Sequence, residues 1–128
     1  MKKLEKVLLS TELFGSFYTE EIKEIIHYLS LHRFLPGQAL MRKGTSGNYL
    51  GIILDGTVQV IDDETILATC STGDILGEMS LIQSEPRNAD VIANNEGEIA
   101  ILAFEDLEVI KHTHPATAVK LIQVLTTS

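Results

Sequence analysis

Between Gly77 and Asp90 the chain reads Gly-Glu-Met-Ser-Leu-Ile-Gln-Ser-Glu-Pro-Arg-Asn-Ala-Asp, and no other stretch carries as much chemistry. A glycine turn leads to an acidic residue that opens a short helical run, and a single arginine follows a proline-containing loop. Backbone N–H groups at a helix start have no partner within the helix and point outward with the positive end of its dipole, which makes an anion site. Arg87 adds a planar, permanently charged fork suited to a phosphate. Glu78 stands too near such an anion to be its ligand, whereas its carboxylate can accept a hydrogen bond from a sugar hydroxyl. An anion site beside a hydroxyl acceptor describes a pocket for a nucleotide or a sugar phosphate. On residue types alone, plainer roles compete. Arg87 could pair at the surface with Glu85, Glu78 or Asp90, and Glu78 is also the kind of residue a helix start favours.

The elements that must carry this stretch follow from periodicity. Leu4, Val7 and Leu8 suggest a short first helix. Thr19 reads as the N-cap of a second, whose stripe is Ile22, Ile25, Ile26 and Leu29. From about residue 32, short β-rich runs alternate with turn residues at Pro36-Gly37, Gly44 to Asn48, Asp55-Gly56, Asp62 to Glu64 and Thr72-Gly73-Asp74. Asp55-Gly56, set between Gly51–Leu54 and Val58–Ile61, reads as a β-hairpin turn. Seven or eight strands in one small domain imply a sandwich or barrel. After Phe104 helical spacing returns at Leu107 and Ile110. Pro115 then suits the first turn of a last helix with the stripe Ala118, Leu121, Ile122 and Leu125.

Bulk properties narrow the function classes. The 128 residues suffice for one domain with a real core, and 45% hydrophobic and 22% charged residues are ordinary for a globular chain. A formal charge of −8, from 10 basic and 18 acidic residues, argues against direct binding to nucleic acid or to an anionic membrane. One cysteine, Cys70, reads as a small apolar strand residue and points to a reducing compartment. The start of the chain lacks a signal-peptide pattern and no stretch reaches membrane-spanning length, so a cytoplasmic location is expected. His27, His32, His112 and His114 are scattered, and residues 48 to 104 contain none of the inner-strand histidines that a metal-dependent jelly-roll enzyme would require. No catalytic triad or Walker-type loop is present, so the chain does not read as an enzyme.

The segment resembles the phosphate-binding cassette of cyclic nucleotide-binding domains, the module of catabolite activator proteins, cyclic-nucleotide-dependent kinases and gated channels. Leu76-Gly77-Glu78-Met79-Ser80-Leu81 and Pro86-Arg87-Asn88-Ala89 fit that cassette without a gap. Leu35-Pro36-Gly37-Gln38, Arg42-Lys43-Gly44, Ile53-Leu54-Asp55-Gly56-Thr57-Val58 and Gly73-Asp74 resemble the family's β-roll turns. The resemblance implies a mainly β fold: an eight-stranded antiparallel β-roll (a double-stranded β-helix or jelly-roll) with N- and C-terminal helices. One domain over 1–128 is expected, with helices at about 3–30, the roll at about 31–104, the cassette at 76–90 and C-terminal helices at about 105–127.

It also implies a site. Arg87 would hold the phosphate and Glu78 the ribose 2′-hydroxyl. Gly77, Met79, Ser80 and Ala89 would act through their backbone, and Asn88 would sit beside the cyclic phosphate. Val58, Val60 and Leu67 align with residues that pack on the purine, although by periodicity alone they are core. Asp90 departs from the family, which often has a threonine there; turned toward the phosphate it would weaken binding, and facing solvent it would be harmless. Only Pro115 to about Thr127 is available as a lid over the base.

The expected function is a regulatory sensor that needs no cofactor. It would bind cAMP in preference to cGMP and relay occupancy through the C-terminal helices to an effector protein or a second subunit, with a homodimer as one arrangement. The alternative is an interaction or dimerisation module that kept the roll and no longer binds nucleotide.

Overall fold

The computed structural model describes residues 2–45, 48–77 and 88–127, and among these the β structure forms two four-stranded antiparallel sheets. Helices α1 (Lys2–Ser10) and α2 (Thr19–Ile26) lead into strands β1 (Ser30–Phe34), β2 (Ala39–Met41), β3 (Tyr49–Asp55), β4 (Val58–Asp62), β5 (Thr65–Cys70) and β6 (Ile75–Leu76). Strands β7 (Asp90–Ala93) and β8 (Gly97–Ala103) follow, and then helices α3 (Phe104–Thr113) and α4 (Pro115–Thr127). Sheet one has the order β1-β8-β3-β6 and sheet two the order β2-β7-β4-β5. This is the expected eight-stranded antiparallel roll with helices at both ends.

The interior strands of sheet one, β3 and β8, are covered on both faces, and their sequence shows why. Along β3, Leu50 and Ile52 turn toward the helices, while Ile53 turns into the roll. Along β8, Ala100 and Leu102 face the helices and Ile99 faces the roll. A strand buried on both sides reads as a continuous apolar run, as Leu50–Leu54 and Ile99–Ala103 do. The helical layer adds Leu8, Phe14, Ile22, Ile25, Leu107, Ile110, Leu121 and Leu125 to the same cluster.

A set of polar contacts fastens α4 to α2. Lys120 Nζ donates to the Ser16 carbonyl and to Glu21 Oε1, each at 2.9 Å, and lies over the Phe17 and Tyr18 rings at 4.9 and 4.8 Å from their centres. Glu21 Oε1 also accepts the Tyr18 N–H at 2.8 Å. Burial pushes the Glu21 carboxyl up, but the Tyr18 N–H and the Lys120 ammonium together outweigh it and hold the pKa below the ordinary 4.5. Thr117 donates its hydroxyl to Glu24, whose carboxylate also lies 3.5 Å from His114 Nδ1.

Two local expectations change. Thr19 is the first helical residue rather than the N-cap, which is Tyr18; Glu21 reaches back to its N–H, so the side chain in the first turn does the capping. Asp55-Gly56 is not a hairpin turn, because β3 and β4 lie in different sheets. It carries the chain from one sheet to the other, and Gly56 has φ +84° with the Glu96 carbonyl and Gly97 Cα where a Cβ would sit. The hairpin is the next one, β4–β5, with Asp62 opposite Thr65 and Asp63 at φ 48° in its turn.

Candidate functional site

Strand β6 ends at Leu76 on an edge of sheet one, while β7 starts at Asp90 in the interior of sheet two. The intervening segment therefore carries the chain between the two layers. At its start Gly77 adopts φ +75°, a conformation that side chains disfavour, as the glycine turn required. At its end Asn88 is exposed and Ala89 is buried against the roll. Glu78, Met79, Ser80 and Arg87 lie outside the described residues, as do Leu81 and Ile82.

The strand residues divide by their place on the sheet. Val58 and Val60 point to one face of β4, into the roll. Val58 is fully buried among Phe34, Met41, Ile53 and Val91, so it backs the wall; Val60 is half-buried and presents surface. Leu67 is 57% exposed. It falls where the β4–β5 register shifts, between the pairs Val60↔Ala68 and Ile61↔Ile66, so it is the extra residue of a β-bulge. Bulges re-aim side chains at sheet edges, and β5 is the edge strand of sheet two.

The register also adds residues that a linear reading passed over. Opposite residues of an antiparallel pair share a face. Cys70 stands opposite Val58 and Ala68 opposite Val60, while Met41 and Val60 are both partners of Val91 on β7. Met41, Val60, Ala68 and Cys70 thus belong to one apolar wall. The available signal was the Asp63-Glu64 turn, which sets the β4–β5 register and with it the face of Ala68 and Cys70.

Asp90 has a definite partner. Its Oδ1 accepts the Lys43 N–H at 2.7 Å, which ties the start of β7 to the loop after β2. The Lys43 ammonium donates to Asp62 and lies 3.6 Å from Asp63. Hydrogen bonding to Asp62, followed by the charges of Asp62 and Asp63, raises the lysine pKa above its ordinary value.

The two-sheet roll with flanking helices is a fold shared with solved proteins. The sequence model of the cyclic nucleotide-binding domain family matches residues 31–119. The chain belongs to that family. A solved cyclic nucleotide-binding domain from Methylobacillus flagellatus KT superimposes with a TM-score of 0.83 at 30% identity, covering 98% of this chain and 76% of that one. The mouse cyclic nucleotide-gated channel beta-3 is 31% identical over 122 residues, 91% of this chain and 17% of the channel. The cGMP-dependent protein kinase, isozyme 1, of Drosophila melanogaster is 33% identical over 97 residues, 70% of this chain and 13% of the kinase. This cyclic nucleotide-binding domain thus spans less than a fifth of the length of those two relatives. The family is typically regulatory rather than catalytic, and no helix among the described residues is long and apolar enough to cross a membrane.

Proposed function

We propose that the chain is a regulatory sensor module that binds a 3′,5′-cyclic nucleotide within the roll and relays its occupancy through α3 and α4. The observation that carries this reading is the placement of the apolar wall. Val60, Ala68 and Cys70 form a partly open surface of small residues on the strands nearest β7 and the sheet edge. A flat purine can bury its faces on such a surface, while the phosphate takes Arg87 and the backbone of residues 77–89 and the ribose takes Glu78. The aliphatic wall favours cAMP over cGMP. Both purines carry one exocyclic amino group, but guanine adds a carbonyl oxygen and a ring N–H, and an apolar surface leaves these two without partners.

The relay follows from the two faces of sheet one. Inside the roll Ile99 packs with the ligand-side cluster, and on the reverse face Ala100 and Leu102 pack with Leu107, Ile110, Leu121 and Leu125. A ligand that shifts the roll changes the surface on which these helices rest, and differential affinity for the two arrangements supplies the coupling. An effector protein or a second copy would take the signal from the outer faces of α3 and α4, where Val109 and Val119 are exposed.

The test is calorimetric titration with cAMP, cGMP and 5′-AMP, repeated on Arg87→Glu. Micromolar or tighter binding of cAMP, weaker binding of cGMP and no response to 5′-AMP are expected. The variant should lose binding by more than about a hundredfold with an unchanged far-UV spectrum, because a carboxylate would repel the phosphate it replaces a partner for. Wild-type affinity in Arg87→Glu would sink the phosphate role. Silence of the wild type toward all three ligands would leave an interaction module acting through α3 and α4.

A further inference from the structure

Three carboxylates and one lysine meet where β2, β7 and β4 run side by side. Asp90 opens β7, opposite Ile61 of β4. Its carboxylate takes the backbone N–H of Lys43, 47 residues earlier in the chain, and the Lys43 ammonium reaches Asp62 at the end of β4 and Asp63 in the turn that follows. One lysine thereby joins three separate segments, by its backbone on one side and its ammonium on the other. The two halves of the junction differ in kind. The ammonium pair is open to solvent, with Lys43 and Asp62 side chains 45% and 40% exposed, and such pairs add little to stability. The Asp90–Lys43 bond, at 2.7 Å, comes from a backbone donor whose position the chain itself fixes, although it too lies at the surface.

Asp90 also follows directly on Asn88 and Ala89, and Ala89 is buried. A side chain that fixes residue 90 therefore fixes the backbone of 88 and 89. We propose that Asp90 is a positioning residue for nucleotide binding: by accepting the Lys43 N–H it holds the Asn88–Ala89 backbone against the roll in the orientation that receives the cyclic phosphate. The inference rests on the sensor reading. It turns the departure of Asp90 from the family pattern into a fastening, with one carboxylate oxygen committed to the loop after β2. The hydrogen bond, rather than the negative charge, is what the site uses.

The experiment compares cAMP affinity by calorimetry in the wild type, Asp90→Ala and Asp90→Asn, together with the melting temperature of each protein without ligand. Asn keeps a side-chain oxygen that can accept the Lys43 N–H but carries no charge. Asp90→Ala is expected to raise the dissociation constant about tenfold, the loss of one well-placed hydrogen bond. Asp90→Asn should stay within about twofold of the wild type, a rescue that a charge effect would not give. An Ala variant that binds like the wild type overturns the proposal while leaving the sensor reading intact. An Asn variant as weak as the Ala variant also overturns it, because charge would then be the cause. Should Asp90→Ala fail to fold, the Asn variant decides alone, and a tenfold loss there refutes the positioning role. A wild type that binds no cyclic nucleotide removes the reading and the proposal together.

Discussion

The helix-facing and roll-facing sides of sheet one are built from the same two strands yet are finished differently. On the helix side, Leu50, Ile52, Ala100 and Leu102 are almost completely buried under four helices, and the Lys120 contacts fasten the layer at its rim. On the roll side, sheet two closes over Phe34, Ile53 and Ile99, but its far strand stays open: every residue of β5 from Thr65 to Thr69 is exposed. The lesson is a division of labour. Stability is concentrated where the helices pack, and the roll keeps an apolar surface that folding alone does not consume.

The difference can be broken most sharply on the helix side. Leu102→Ala removes a side chain that is 1% exposed and should cost about 3 kcal/mol of unfolding free energy, read by chemical denaturation, with cAMP affinity close to the wild type. A large loss of affinity in the folded variant would show that the two sides are not separable. Val60→Ala probes the other side. Its half-buried position predicts a stability loss of only about 1 kcal/mol, accompanied by a roughly fivefold weaker dissociation constant for cAMP. Unchanged affinity would mean that the wall does not meet the base.

The smallest effect sharpens the role of the rim. Lys120→Met keeps the apolar stem and removes the ammonium, so it should cost less than about 1 kcal/mol at pH 7. The sign with pH is fixed by Glu21, whose folded pKa is depressed. Its contribution is complete above the ordinary carboxylate value of 4.5 and is lost as pH falls through the lower folded value. The gap between variant and wild type should therefore be full at pH 7 and shrink toward pH 3 in thermal melts. A gap that is the same at both values would assign the effect to packing on Phe17 and Tyr18.

The fold was largely legible because its signals are local or ordered. The alternation of short β-rich runs with turn residues from about residue 32 marked the strands, and Gly77 with the residues after it marked the segment between sheets. What stayed hidden was pairing. An Asp-Gly dipeptide announces a reversal of the chain, but nothing in it tells whether the strands on either side share a sheet, and at Asp55-Gly56 they do not. Cys70 read only as a small apolar strand residue, and the register with Val58 and Val60 put it and Ala68 on the same wall. The Asp90–Lys43 bond joins residues 47 apart through a backbone donor, which leaves no trace in side-chain type.

The antiparallel pairing of β1 with β8 has a mechanical consequence. Ser30 pairs with Ile101 and Phe34 with Gly97, so the end of β1 next to the N-terminal helices lies beside the end of β8 next to the C-terminal helices. A pulling force applied through those helices would enter the two strands at the same end. It would then load their hydrogen bonds one after another, as a zip, rather than all at once in shear. Among the strand pairs, the seam between β1 and β8 is thus the one such a force would reach first, with the β2-β7-β4-β5 sheet behind it.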